Sequence, residues 1–158
     1  MVSTISATQP LRVYIDTSVF GGYYDDEFSV ASRQFFDAVF MGQLIPLVSE
    51  TLVAELMRAP VHVQDLLDKT IQARSERLVL TSEAIALRDA YLRSEVVTQK
   101  YADDALHVAQ ATLARADVTH YPTRTGILRY ARNDSISDRP VGRRVTPTVS
   151  WREACFAT

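Results

Sequence analysis

Short apolar runs alternate with longer segments of helical period between residues 11 and 118. Residues 12–16, Arg-Val-Tyr-Ile-Asp, are rich in β-forming side chains and predict a strand that ends on an acid. Residues 44–48 predict a second strand, because an apolar run of this length suits a buried strand better than a helix. Residues 78–80 predict a third strand, and residues 117 and 118 begin a fourth.

Helical segments lie between these predicted strands. They are expected from Ser29 to about Met41, from a cap at Ser49 to Pro60, from Pro60 to about Ile71, from a cap at Thr81 or Ser82 to about Arg93, and from Lys100 to Arg115. Alternating strands and helices favour a parallel sheet that is covered on both faces. We therefore predict a three-layer α/β domain with about four parallel strands.

Composition is that of one ordinary globular domain: 158 residues, 47% hydrophobic, with a formal net charge of −2. A weakly acidic chain is not a general binder of polyanions. The single cysteine, Cys155, excludes an intramolecular disulfide. The first ten residues show no signal-peptide pattern, and no apolar run approaches membrane-spanning length. We expect a cytoplasmic protein.

The charge is unevenly distributed along the chain. Residues 1–118 hold ten basic and sixteen acidic residues, whereas residues 119–158 hold seven arginines and three acids. Helical and strand periodicity also ends near residue 118. We predict an N-terminal extension at 1–10, a folded domain at 11–118 and an irregular basic tail at 119–158.

Three carboxylates follow or precede the predicted strands in a way that suggests a shared site. Asp16 ends the first strand, Glu55 lies in the helix after the second, and Asp104 lies in the first turn of the alanine-rich helix. Because ligands bind at the carboxyl ends of strands in such sheets, these acids are candidates for a Mg²⁺ site. Taken singly, each acid is better explained as a turn, surface or helix-capping residue.

Three short motifs, in order, resemble the PIN-domain family over about residues 11–118. They are Val13–Gly22 (VYIDTSVFGG), Ser49–Leu56 (SETLVAEL) followed by Ala59-Pro60, and Ala102–Ala109 (ADDALHVA). The chain resembles the bacterial branch that includes VapC-type toxins of toxin–antitoxin pairs. This resemblance implies a PIN-like fold and a toxin-like endoribonuclease that hydrolyses RNA with Mg²⁺ or Mn²⁺. The partners it implies are an RNA substrate, an antitoxin protein and a second copy in a homodimer.

The same resemblance assigns roles to individual residues. Asp16, Glu55 and Asp104 match the catalytic acids that hold the metal, and Asp103 is the neighbour of the third. Ser18 matches a hydroxyl position near the metal, although capping of the turn after the strand explains it equally well. His107, one turn after Asp104, either faces the same cleft or packs as a structural residue.

The chain departs from the family after residue 118. The expected continuation into a Trp-Asn or similar motif is replaced by Thr119–Arg124, and its Asn or Asp has no counterpart. Residues 125–134 resemble a translated, dispersed DNA repeat of bacterial genomes, which suggests a frameshifted or repeat-derived tail. The alternative to a repeat-derived tail is a lineage-specific basic extension that binds RNA. A repeat-derived tail is expected to contribute little to stability and to be cut first by protease at Arg124, Arg129 and Arg132.

Two other functions remain open at this point. The loss of the fourth motif is compatible with a catalytically weak or inactive remnant that only binds an antitoxin or RNA. An aspartyl-nucleophile phosphatase is a weaker alternative, because Asp16-Thr17-Ser18 follows a strand but lacks the second acid of the usual Asp-x-Asp-x-Thr pattern.

Overall fold

A computed structural model describes residues 9–95, 97–121 and 129–132, and within them one mixed sheet of five strands. The strand order is β3-β2-β1-β4-β5, in which the first four strands are parallel and β5 is antiparallel to β4. The predicted α/β fold with four parallel strands is confirmed. The strands are β1 (Leu11–Ile15), β2 (Leu44–Ser49), β3 (Glu76–Leu78), β4 (Val118–Tyr121) and β5 (Arg129–Arg132).

Six α-helices and one 3₁₀ turn connect the strands in the described part of the chain. Two of the predicted caps are formed as expected: the Ser49 hydroxyl accepts from the Leu52 amide, and the Thr81 hydroxyl accepts from the Ala84 amide. Ser29 begins its helix but does not cap it. The helices are α1 (Thr17–Gly22), α2 (Ser29–Phe40), α3 (Glu50–Leu56), α4 (Val61–Gln72), α5 (Ser82–Arg93) and α6 (Ala102–Leu113), and the 3₁₀ turn is Gln99–Tyr101.

The alternation of side chains along β1 divides the core into two layers. Val13 and Ile15 are fully buried in the larger cluster, which α1, α2, α3 and α4 cover. Tyr14 points to the opposite face and packs with Leu47 and with Ala111 of α6. Because Tyr14 is fully buried, its hydroxyl lies inside the protein and requires hydrogen-bonding partners there.

Part of the predicted tail is strand and not irregular. Strand β4 crosses the proposed boundary at residue 118, and residues 129–132 pair with it from Val118↔Arg132 to Tyr121↔Arg129. Strand β5 therefore covers the edge of β4 that faces away from β1. Residues 122–128 and 133–158 lie outside the described residues, so the interpretation of the tail's origin stays a prediction.

Arg12 fastens the amino-terminal end of β1 to its surroundings. Its guanidinium pairs with Glu76 of β3 at 2.7 Å and donates to the carbonyl oxygens of Ala114 and Arg115 at 3.0 Å. This hydrogen bond holds the pKa of Glu76 below its ordinary value. The backbone of Arg12 also exchanges hydrogen bonds with Asp117, so one residue joins β1, β3 and the turn between α6 and β4.

Replacing Arg12 by Met should lower the free energy of unfolding by about 1–2 kcal/mol, because two helix-end carbonyls and a carboxylate lose their donor. Urea titration followed by circular dichroism measures the change. Arg88→Met is the matched control, since Arg88 pairs with its chain neighbour Asp89; it should change stability by less than about 0.5 kcal/mol. Equal effects of the two variants would contradict the role of Arg12.

Two truncations measure what β5 contributes. Removal of residues 133–158 keeps the β4–β5 pairing, whereas removal of residues 122–158 also deletes β5. The second variant should be less stable than the first by about 1–3 kcal/mol, because β4 loses its antiparallel hydrogen bonds. If denaturant titration gives the same stability for both, β5 contributes nothing, as a repeat-derived tail implies.

Candidate functional site

The carboxyl end of β1 lies where the order of the sheet changes direction. From β1 the chain proceeds outward to β2 and β3 on one side, and then returns to form β4 on the other side. In parallel sheets of this kind, the crevice beyond the strand ends at such a point is where ligands bind. Asp16 directly follows β1, so its side chain lies at this crevice.

Asp16 is fixed by the start of helix α1. As the N-cap residue, it accepts from the Ser18 amide at 2.7 Å through Oδ1, and the Ser18 hydroxyl donates to the same oxygen at 2.7 Å. Ser18 therefore orients Asp16, while the cap itself is Asp16. The other carboxylate oxygen, Oδ2, makes no hydrogen bond within the described residues and is left for a ligand.

Glu55 reaches the same crevice from the end of α3. The Thr17 hydroxyl donates to Oε2 of Glu55, and His107 Nε2 lies 3.2 Å and 3.3 Å from its two oxygens. The contact with His107 is the main cause that holds the pKa of Glu55 below its ordinary value. The Glu55 carboxylate thus links α3 to α1 and α6.

Asp104 completes the group from the first turn of α6. Its pKa is raised by partial burial and by the negative charge of Asp16, with smaller contributions from Asp103 and Glu55 and an opposing one from His107. An acid whose pKa is raised by neighbouring acids lies in excess negative charge. Asp103 and Asp104 are both exposed, whereas Glu55 is half-buried.

A buried hydrogen-bond network lies directly behind these acids. The Tyr14 hydroxyl lies 2.7 Å from His107 Nδ1, 3.0 Å from the Ser49 hydroxyl and 3.2 Å from Gln110 Oε1. Tyr14, Ser49, His107 and Gln110 are all buried. His107 also contacts Glu55, so the buried hydrogen bonds behind the sheet are connected to the carboxylates of the site. We call these residues, with Glu55, the Tyr14–His107 network.

The charges of the site also act on this network. Burial alone lowers the pKa of His107, but the hydrogen bond to Glu55 and the charges of Asp16, Glu55 and Asp104 outweigh it and raise the pKa above the ordinary value. Burial raises the pKa of Tyr14 well above its ordinary range, so Tyr14 is a neutral hydroxyl. His107 is therefore buried as a structural residue and also points at the cleft. The two roles considered from the sequence are not exclusive.

The donor chemistry of the site suits a hard divalent cation. Carboxylate oxygens are the ligands that Mg²⁺ prefers, and Mg²⁺ retains several waters, so it does not need a complete protein cage. As the side chains stand, however, no set of three or more acidic, histidine or cysteine residues in the described ranges forms a ready metal-binding group. The carboxylate of Glu55 contacts Thr17 and His107.

Tyr14, Thr17 and Gln110 were not identified from the sequence as residues of the site. One signal was present: Asp104, His107 and Gln110 recur at intervals of three in an alanine-rich helix and so form a polar stripe on one face. A tyrosine in the middle of a buried strand is the complementary signal, because its hydroxyl needs a partner. Thr17 gave no such signal in the sequence.

Comparison with known proteins finds similarity among solved structures. No family model and no curated protein matches the chain. Among solved structures, the crystal structure of VapBC2 from Rickettsia felis bound to a DNA fragment from their promoter is similar, with a TM-score of 0.48 and 15% sequence identity over 67% of this chain and 84% of that chain. A likeness of this degree decides neither family nor function. No helix in the described part of the chain is long and apolar enough to cross a membrane.

Tyr14→Phe should lower the free energy of unfolding by about 1–3 kcal/mol, because Ser49, His107 and Gln110 lose a shared partner inside the protein. Thermal or urea unfolding of the full chain measures the loss. Tyr91→Phe removes the same atom from a partly exposed helix position and should change stability by less than about 0.5 kcal/mol. If Tyr14→Phe has the same free energy of unfolding as the unmodified chain, the hydrogen bonds of Tyr14 do not contribute to stability.

Proposed function

We propose that this chain is a PIN-type endoribonuclease that depends on Mg²⁺ or Mn²⁺ and acts as the toxin-like component of a toxin–antitoxin pair. One observation supports the proposal: the carboxylate of Glu55 contacts both Thr17, the neighbour of Asp16, and His107, which lies one turn after Asp104. The positions of Asp16, Glu55 and Asp104 match the three motifs that resemble the PIN family.

The arrangement of the acids favours binding of a cation over binding of a basic partner. No arginine or lysine in the described residues forms an ion pair with any of the three acids. Their mutual repulsion is therefore only partly relieved, by His107 and by hydroxyl donors. A divalent cation is the natural counter-ion of such a group, and a phosphodiester can approach it without being repelled once that charge is present.

Each residue has a distinct task in this proposal. Asp16, fixed by Ser18, would hold the metal, and Asp104 would contribute a second carboxylate. Glu55, oriented by Thr17 and His107, would complete the set. The chemistry that Mg²⁺ supplies when bound is stabilisation of negative charge on the phosphoryl group and a lowered pKa of a coordinated water.

A second candidate rests on residues 119–121. Thr119, His120 and Tyr121 supply no carboxylate where the family has a further Asn or Asp. A chain that lacks this ligand and no longer cleaves RNA would be an inactive remnant that only binds an antitoxin or RNA. Metal-dependent cleavage distinguishes the two candidates.

Cleavage of single-stranded RNA should require Mg²⁺ or Mn²⁺ and stop when a chelator is added. Asp16→Asn should lower the rate by at least about 100-fold, the upper end of what loss of an outer-shell partner costs. The fold should survive, because Asn is as good an N-cap as Asp. Gel analysis of labelled RNA measures the rate, and circular dichroism verifies the fold.

Asp68→Asn is the control for this experiment. It removes the same charge from an exposed position of α4, so it should cleave RNA at the unmodified rate. Full activity in chelator, or in Asp16→Asn, would refute the metal mechanism. No cleavage by the unmodified chain with either metal would favour the inactive remnant.

A further inference from the structure

We propose that His107, held from behind by Tyr14, is a positioning residue that sets the orientation of Glu55 and thereby the affinity of the site for a divalent cation. The inference rests on the proposed function, because it assigns Glu55 to the metal. It adds a task for two buried residues that lie outside the three acids and touch neither metal nor substrate.

The contacts of Glu55 show why it needs a positioning residue. Glu55 lies near the end of α3, a helix of only seven residues, and its side chain is 35% exposed. A glutamate side chain has several rotatable bonds and loses rotamer freedom when its carboxylate is held in one orientation. Only Thr17 and His107 donate to that carboxylate within the described residues.

The direction of the hydrogen bonds follows from Glu55. An ionised carboxylate only accepts, so His107 must present a proton on Nε2. The Tyr14 hydroxyl has a single proton and lies 2.7 Å from Nδ1, so it donates to a neutral imidazole or accepts from a protonated one. In both protonation states of His107, Nε2 donates to Glu55.

The rigidity of the network comes from where its members lie. The His107 side chain is only 7% exposed, Tyr14 is in the central strand, and Ser49 ends β2 while capping α3. The imidazole is thus clamped by the sheet on one side and presents Nε2 at the crevice on the other. Helix α6 contributes both Asp104 and, one turn later, His107, which orients Glu55.

The test compares two substitutions of His107 that keep different halves of the imidazole. The amide nitrogen of Gln reaches the position of Nε2 and can still donate to Glu55. The amide of Asn reaches only the position of Nδ1, so it keeps the contact with Tyr14 and loses Glu55. If His107 mainly supports Tyr14, His107→Asn should preserve metal binding better than His107→Gln. If His107 positions Glu55, His107→Gln should preserve it better.

Mn²⁺ binding to the full chain is measured by the electron paramagnetic resonance signal of free Mn²⁺, without RNA. His107→Asn should weaken binding by about 10-fold or more, in the range expected for an outer-shell partner, and His107→Gln should recover most of that loss. In a Glu55→Gln background, His107→Asn should have no further effect, because its action passes through Glu55. Tyr14→Phe should weaken binding less than His107→Asn.

The outcomes separate this inference from the proposed function. Mn²⁺ binding that is lost in Asp16→Asn but unchanged in a folded His107→Asn would overturn the positioning role and leave the metal site intact. Equal losses in the Asn and Gln variants, or additive losses in the Glu55→Gln background, would also overturn it. If the unmodified chain binds no Mn²⁺, both the proposed function and this inference fail.

Discussion

The hydroxyl of Tyr14 is a polar group placed inside the sheet, and the arrangement around it is the constraint on which the site depends. An unpaired hydroxyl in this position costs about 1–3 kcal/mol, a large part of the stability of a domain of this size. It is satisfied by Ser49 from β2 and by His107 and Gln110 from α6. The register of β1 and β2 and the rotation of α6 about its axis are therefore fixed together, and His107 is directed at Glu55 as a result.

The apolar pattern predicted most of the fold because most of its elements are long enough, or apolar enough, to show their period. Helix α1 was missed because six residues after Asp16 show no clear helical period. Strand β3 runs over Glu76–Leu78 and not 78–80, because the pairing of Glu76 with Arg12 draws a polar residue into the sheet. Strand β5 was missed because its pairing with β4, and not its own sequence, makes it a strand.

The site was predictable in part for a similar reason. The motifs identify Asp16, Glu55 and Asp104 as candidates, and parallel strands bring acids after successive strands to one end of the sheet. Nothing in the order of residues indicates that Glu55 is turned to Thr17 and His107, since that depends on helices on opposite faces of the sheet. The electrostatic interaction among the acids is likewise a property of the fold, and their role in holding a metal stays a proposal.

The central claim, that these carboxylates share one divalent cation, is tested most directly by crystals soaked in Mn²⁺ and measured at its absorption edge. We expect one anomalous peak at the carboxyl end of β1, with oxygen atoms of Asp16 and Asp104 within coordination distance and Glu55 bound directly or through water. Peaks only elsewhere, or no peak at saturating Mn²⁺ while the acids keep their present contacts, would contradict it.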